Sequence, residues 1–116
     1  MVRGNFAKSP LNEKIKYIIG DAQQSLKTLS TETFDLVFID ADKKNNQTYY
    51  DLVFEQVKPG GIIIVDNVLW SGKVLNNAQD KDTKNIHDFN DYVNADDRVE
   101  KLILPVRDGL FVIRKK

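Results

Sequence analysis

Cysteine is absent from the 116 residues, which excludes disulfide frameworks, thiolate nucleophiles and zinc–sulfur centres. Any metal is left to oxygen ligands or to the single histidine, His87. An excess of charge of either sign is also missing. Seventeen Lys and Arg balance 17 Asp and Glu, so there is no net basic field of the kind that attracts nucleic acid or an anionic membrane surface, and neither partner is expected. No window approaches the roughly 20 apolar residues of a membrane span, and the opening MVRGNFAKSP has no apolar signal-peptide core. The cytoplasm is therefore the expected compartment. Repeats and low-complexity segments are missing too. With 41% hydrophobic and 9% aromatic residues, the length suits one domain with one core, residues 1–116.

What is present alternates between two periodicities. Lys14 to Gly20, KIKYIIG, reads as a short strand, and DAQQSLKTL places Ala22, Leu26 and Leu29 at helical spacing. FDLVFID is a nearly continuous apolar run, the pattern of a strand covered on both faces of a parallel sheet. Asn46 to Val57 puts Tyr49, Val53 and Val57 on one helical face, and KPGG then stops the helix before a buried strand, Ile62 to Asp66. The polar stretch from Trp70 to Thr83 reads as a long surface loop. A helix from about Lys84 to Asn94 follows, with Ile86, Phe89 and Val93 as its core stripe and His87 off it. RVEKLILPV and GLFVIRKK close the chain as a hairpin through RDG. The expected fold is α/β, a mostly parallel sheet with an antiparallel strand near one edge.

Two of these strands end in acids. Asp40 and Asp42 follow LVFI, and Asp66 with Asn67 follows IIIV 26 positions further on. Ligands of such sheets sit beyond the carboxyl ends of the strands. If the two strands are neighbours, about 4.8 Å apart, Asp40, Asp66 and Asn67 can converge on one hard cation. The plain alternative is a solvated turn at each tip, and carboxylates there also bind sugars and amines. Lys43 reads either as a surface charge beside Lys44 or as a base whose ammonium form a nearby cation disfavours. Trp70 divides between packing and a loop wall that could flank a flat substrate.

FDLVFIDADKKN, KPGGIIIVDNVLWSGKV and LPVRDGLFVIRKK, together with IGDA, closely resemble the cation-dependent O-methyltransferases that act on catechols and related vicinal diols. The resemblance implies a Rossmann-like methyltransferase sheet and transfer of a methyl group from S-adenosylmethionine to one hydroxyl of a small aromatic diol. A divalent cation, Mg²⁺ with Mn²⁺ or Ca²⁺ as alternatives, would hold both diol oxygens. It implies Asp40, Asp66 and Asn67 as metal ligands and Lys43 as the general base. Asp21, Ala22, Asp40 and Asp42 would lie along the methyl donor, and Asp40, Trp70 and Ser71 along the acceptor. A homo-oligomer, such as a dimer, is expected.

The likeness is to the C-terminal half of the family. The glycine-rich turn and the first two strands have no counterpart, so the expectation is a single partial methyltransferase domain over 1–116 whose own activity is a separate question. A non-catalytic interaction module is the main rival reading. A response-regulator receiver domain is a weaker one, because it would need an acidic pair after its first strand where only Asp21 stands.

Overall fold

The computed structural model describes residues 18–29, 31–40, 43–69 and 81–116, with the side chains of Lys43 and Asp82 outside the description. Helix α1, Ala22–Thr28, is followed by strand β1, Phe34–Ile39, a 3₁₀ turn, Lys43–Asn45, and helix α2, Asn46–Phe54. Strand β2, Val57–Asp66, helix α3, Lys81–Asn94, and strands β3, Val99–Leu104, and β4, Leu110–Lys115, complete the order.

The strands form one four-stranded sheet in the order β1-β2-β4-β3. β1 and β2 are parallel, whereas β4 is antiparallel to both of its neighbours, β2 and β3. The sheet is thus mixed among the described residues, and the terminal hairpin folds so that its second strand, β4, enters the middle.

Strand alternation divides the sheet's side chains between two faces. On one face Ile39, Ile63, Val65, Val99, Phe111 and Ile113 are buried. Helices α2 and α3 cover it with Tyr49, Tyr50, Val53 and Phe54 from α2 and Ile86, Phe89 and Val93 from α3. The rings meet edge to face, Tyr50 against Phe89 at 6.0 Å and Phe89 against Phe111 at 6.4 Å, a favoured aromatic geometry.

Several expectations change. Ile18 to Gly20 carry no strand, and residues 14–17 of that expected strand lie outside the described residues. Helix α2 stops at Phe54, and Val57 already belongs to β2, because Lys58–Gly61 forms an excursion within that strand. Phe34 pairs with Val57 but Leu36 with Ile62, so the register jumps across KPGG. Gly61 is required there, since a Cβ would lie 2.6 Å from Val57 and 2.8 Å from the Lys58 carbonyl. Helix α3 begins at Lys81, inside the expected loop, whose residues 70–80 lie outside the described ones. The expectation that LVFI is covered on both faces fails as well: Leu36 is 59% and Phe38 55% exposed. They point to the face that no described helix covers.

Candidate functional site at the carboxyl ends of β1 and β2

The two acid-tipped strands are neighbours. Ile39 pairs with Val65 in parallel register, so the next residues, Asp40 and Asp66, leave adjacent strands at the same level. Parallel strands run about 4.8 Å apart, which brings the two carboxylates within reach of a common ligand. Asp40 is exposed and Asp66 half-buried.

Asn67 follows with a left-handed backbone, φ 61°, a conformation that asparagine tolerates better than most residues. Four hydrogen bonds hold the segment that carries it. The Asp66 carboxylate accepts a hydrogen bond from the Asn67 N–H at 2.8 Å. Val68 and Leu69 donate their N–H groups to the carbonyls of Gly109 and Asp108 in the β3–β4 turn, at 3.3 and 2.6 Å. The side-chain amide of Asn90, on α3, donates to the Val68 carbonyl at 2.8 Å. Gly109, φ 88°, is indispensable to this contact, because a Cβ there would sit 2.5 Å from the Leu69 side chain. Sequence reasoning read RDG only as a turn and missed both Gly109 and Asn90 as supports of Asn67. The glycine was visible as a signal; the asparagine gave none.

Helix α1 enters the same end of the sheet. Asp21 is its N-cap and accepts from the N–H groups of Gln23 at 2.8 Å and Gln24 at 3.4 Å, which explains the Asp before the apolar spacing. A cavity of about 250 Å³ opens beside it, lined by Ala22 and Leu26 of α1, by Phe38, Ile39 and Asp40 at the end of β1, and by Tyr49 of α2 among others. Ala22 and Asp40, separated by 18 positions in the sequence, thus share one wall. A second cavity of about 240 Å³, between α3 and β3, contains none of the expected site residues.

Asp40, Asp66, Asn67, Ala22 and Asp21 therefore gather at one end of the sheet. The backbone of Lys43 opens the 3₁₀ turn that follows Asp40. Its side chain, with Asp42, Trp70 and Ser71, lies outside the described residues. Among the described residues no group of three His, Cys, Asp or Glu side chains stands together as a metal centre. The available donor set is two carboxylates and an amide, all oxygen, which suits a hard cation such as Mg²⁺. His87 is half-exposed on α3 beside Asp91 at 3.6 Å, as expected of a solvated helix residue.

The strongest electrostatic perturbation lies at the opposite pole, where the chain passes from α3 into β3. Asp96 accepts a two-pronged hydrogen bond from Arg98, 2.9 Å on each arm, and a third from the Tyr50 hydroxyl at 2.8 Å. The Arg98 hydrogen bonds hold the Asp96 carboxyl well below the usual carboxylate range, against an opposing effect of burial. Burial, followed by the bond to Asp96, pushes the Tyr50 phenol up. Arg98 also lies 3.9 Å over the Phe54 ring. This knot ties α2 to the α3–β3 corner and leaves the site end to the acids.

Comparison with known proteins agrees with this geometry. The model of the O-methyltransferase family matches residues 1–116. The chain is 35% identical over 120 residues to caffeoyl-CoA O-methyltransferase 2 of Populus trichocarpa, covering 93% of this chain and 49% of that protein. It is 37% identical over 82 residues to the catechol O-methyltransferase of Mycobacterium tuberculosis, covering 71% of this chain and 37% of that one. Among solved structures, the O-methyltransferase of Bacillus cereus in complex with SAH superposes with a TM-score of 0.89 at 32% identity, over 98% of this chain and 56% of the other. The sheet is accordingly of the Rossmann-like methyltransferase kind. The chain spans about half the length of the curated relatives it matches. A full-length family match, together with acid-tipped parallel strands and a cavity joining Ala22 to Asp40, establishes that this chain belongs to the O-methyltransferase family.

Proposed function

We propose that the chain provides the metal- and acceptor-binding half of an S-adenosylmethionine-dependent O-methyltransferase acting on catechol-like aromatic diols. The observation that carries this reading is the parallel register that sets Asp40 beside Asp66, with Asn67 held next to them. These three residues would hold a divalent cation, Mg²⁺ in the first instance. Such a cation, when bound, makes a chelated hydroxyl more acidic and fixes the direction of its oxygen.

The chain's own groups do the rest. Lys43, as a neutral amine, takes the proton of the acceptor hydroxyl. S-adenosylmethionine, when bound, would supply an electrophilic methyl group on its sulfonium for that oxygen to take in line, and would leave as the thioether. Ala22 and Asp40 line the cavity assigned to the donor, Asp21 caps the helix beside it, and Asp42 is assigned to the same donor by its motif. At about 250 Å³ that cavity is smaller than the roughly 300–1,000 Å³ of small-molecule sites, so it suits part of a nucleoside-containing donor. Trp70 and Ser71 are assigned to the acceptor's flank.

The reading can be tested in a chimera in which this chain replaces the segment it matches in the Bacillus cereus O-methyltransferase. Supplied with S-adenosylmethionine, a 3,4-dihydroxy aromatic and Mg²⁺, the chimera should form the monomethyl ether. A chelator or Asp66→Ala should stop it. Undiminished turnover under either change would sink the proposal. A second reading, a non-catalytic interaction module, draws on the uncovered sheet face; it would be favoured by a chain that neither binds the donor nor supports turnover in the chimera.

A further inference from the structure

We propose that Asn46 is a positioning residue for Lys43, its buried carboxamide anchoring the turn Lys43–Asn45 through a bridging water. The inference rests on the proton-removing role proposed for Lys43. Helix α2 turns one stripe into the core: Asn46, Tyr49, Tyr50, Val53 and Phe54. All but the first are aromatic or aliphatic. Asn46 is 1% exposed, yet neither its Nδ2 nor its Oδ1 has a hydrogen-bond partner among the described residues. A buried amide left unpaired opposes folding, and the stripe's own pattern calls for an apolar side chain at that position. Such groups persist where ordered water or function accounts for them.

The location of the amide ties it to the acid rim. Helix α2 starts six positions after Asp40 and ends at Phe54, just before Val57, which pairs with the first residue of β1. The helix therefore runs from the rim to the opposite pole. Helix α3 also ends at that pole, near Asp96, so its first turn lies at the rim end, and Thr83 there is likewise buried. Both inward stripes thus open on a polar side chain at the rim end, ahead of the aromatic and aliphatic residues that fill the core. Cα–Cβ bonds of a helix lean toward its N-terminus, which directs the amide of the first residue back over the preceding turn, Lys43–Asn45. Helix α3 packs against the same turn. An amide offers both donors and acceptors, so a single water can join it to the backbone groups of that turn. A turn held in this way keeps Lys43 in one place relative to Asp40, three positions earlier.

The test is Asn46→Leu, which keeps the branching of the side chain and removes its polar atoms. In the purified chain, backbone order parameters from NMR relaxation should fall across Lys43–Asn45 from about 0.85, the rigid range, toward about 0.6, while the rest of α2 keeps parental values. The melting temperature should equal or exceed the parent's, because exchanging a buried unpaired amide for an apolar group of like shape is neutral or stabilising. In the chimeric enzyme, kcat should fall by roughly tenfold or more with donor KM nearly unchanged, and Asn46→Ser, which keeps a polar group for the water, should recover part of the loss. If Asn46→Leu loses its circular dichroism, Asn46→Val gives the same readings with less bulk. A folded variant with parental order in the turn, parental turnover in an active chimera, or a melting temperature that falls together with order throughout α2 would overturn the proposal and make Asn46 a packing residue. An inactive parent chimera would count against the methyltransferase reading alone, since relaxation and melting still decide whether Asn46 holds the turn.

Discussion

Lys43 and Asp96 show how differently single residues act at the two poles of this sheet. Lys43, four positions beyond the end of β1, is assigned proton removal, so Lys43→Ala in the chimeric enzyme should lower kcat by roughly 10²–10⁴ while donor affinity hardly changes. Loss confined to donor binding would move the lysine into the donor pocket instead. Asp96 is structural. Its folded carboxyl titrates below its unfolded value, so its contribution to stability is complete above the unfolded pKa, near 4, and is lost as pH falls toward the folded value. Asp96→Asn should lower the melting temperature at neutral pH and flatten the acid limb of the stability curve. The loss at neutral pH should be about 2 kcal/mol, the scale of hydrogen bonds to a charged group. Equal acid sensitivity in parent and variant, followed by thermal denaturation between pH 2 and 7, would assign that limb to other carboxylates.

At the scale of elements, the segment 67–69 and the turn 107–109 form one device, since each fixes the other and together they present Asn67. Gly109→Ala should push Leu69 away and shift Asn67. The cost should be about 1–3 kcal/mol of stability, as for overpacking, with weaker metal binding out of proportion to it. A variant with parental metal affinity would show that Asn67 does not depend on the turn. Elements with a strong period were legible in the sequence: the stripe Ile86, Phe89 and Val93 is buried as its spacing predicts, and the terminal hairpin pairs as RDG suggests. The adjacency of Asp40 and Asp66 was legible only as a condition, because hydrophobic pattern does not encode strand order. KPGG read as a helix stop, yet β2 runs through it, a consequence of pairing with β1 rather than of local preference. Asn90 could not be found from sequence, since a polar residue on a helix announces nothing about the carbonyl it will meet.

For the whole molecule, one face of the sheet is packed beneath α2 and α3 and the other is covered by no described helix, although both read as apolar in the sequence. The apolar count of FDLVFI says how much surface must be covered, not what covers it. At the end of that sheet lies a rim of acids, at the tips of β1 and β2. The central claim is that this rim is one metal site. The most direct test is titration of the purified 116-residue chain with Mn²⁺, followed by electron paramagnetic resonance of the free ion. One site per chain is predicted, competed by Mg²⁺ and lost in Asp66→Ala while the circular dichroism of the fold is kept. Mn²⁺ binding that is absent from the folded parent, or equally strong in Asp66→Ala, would contradict it.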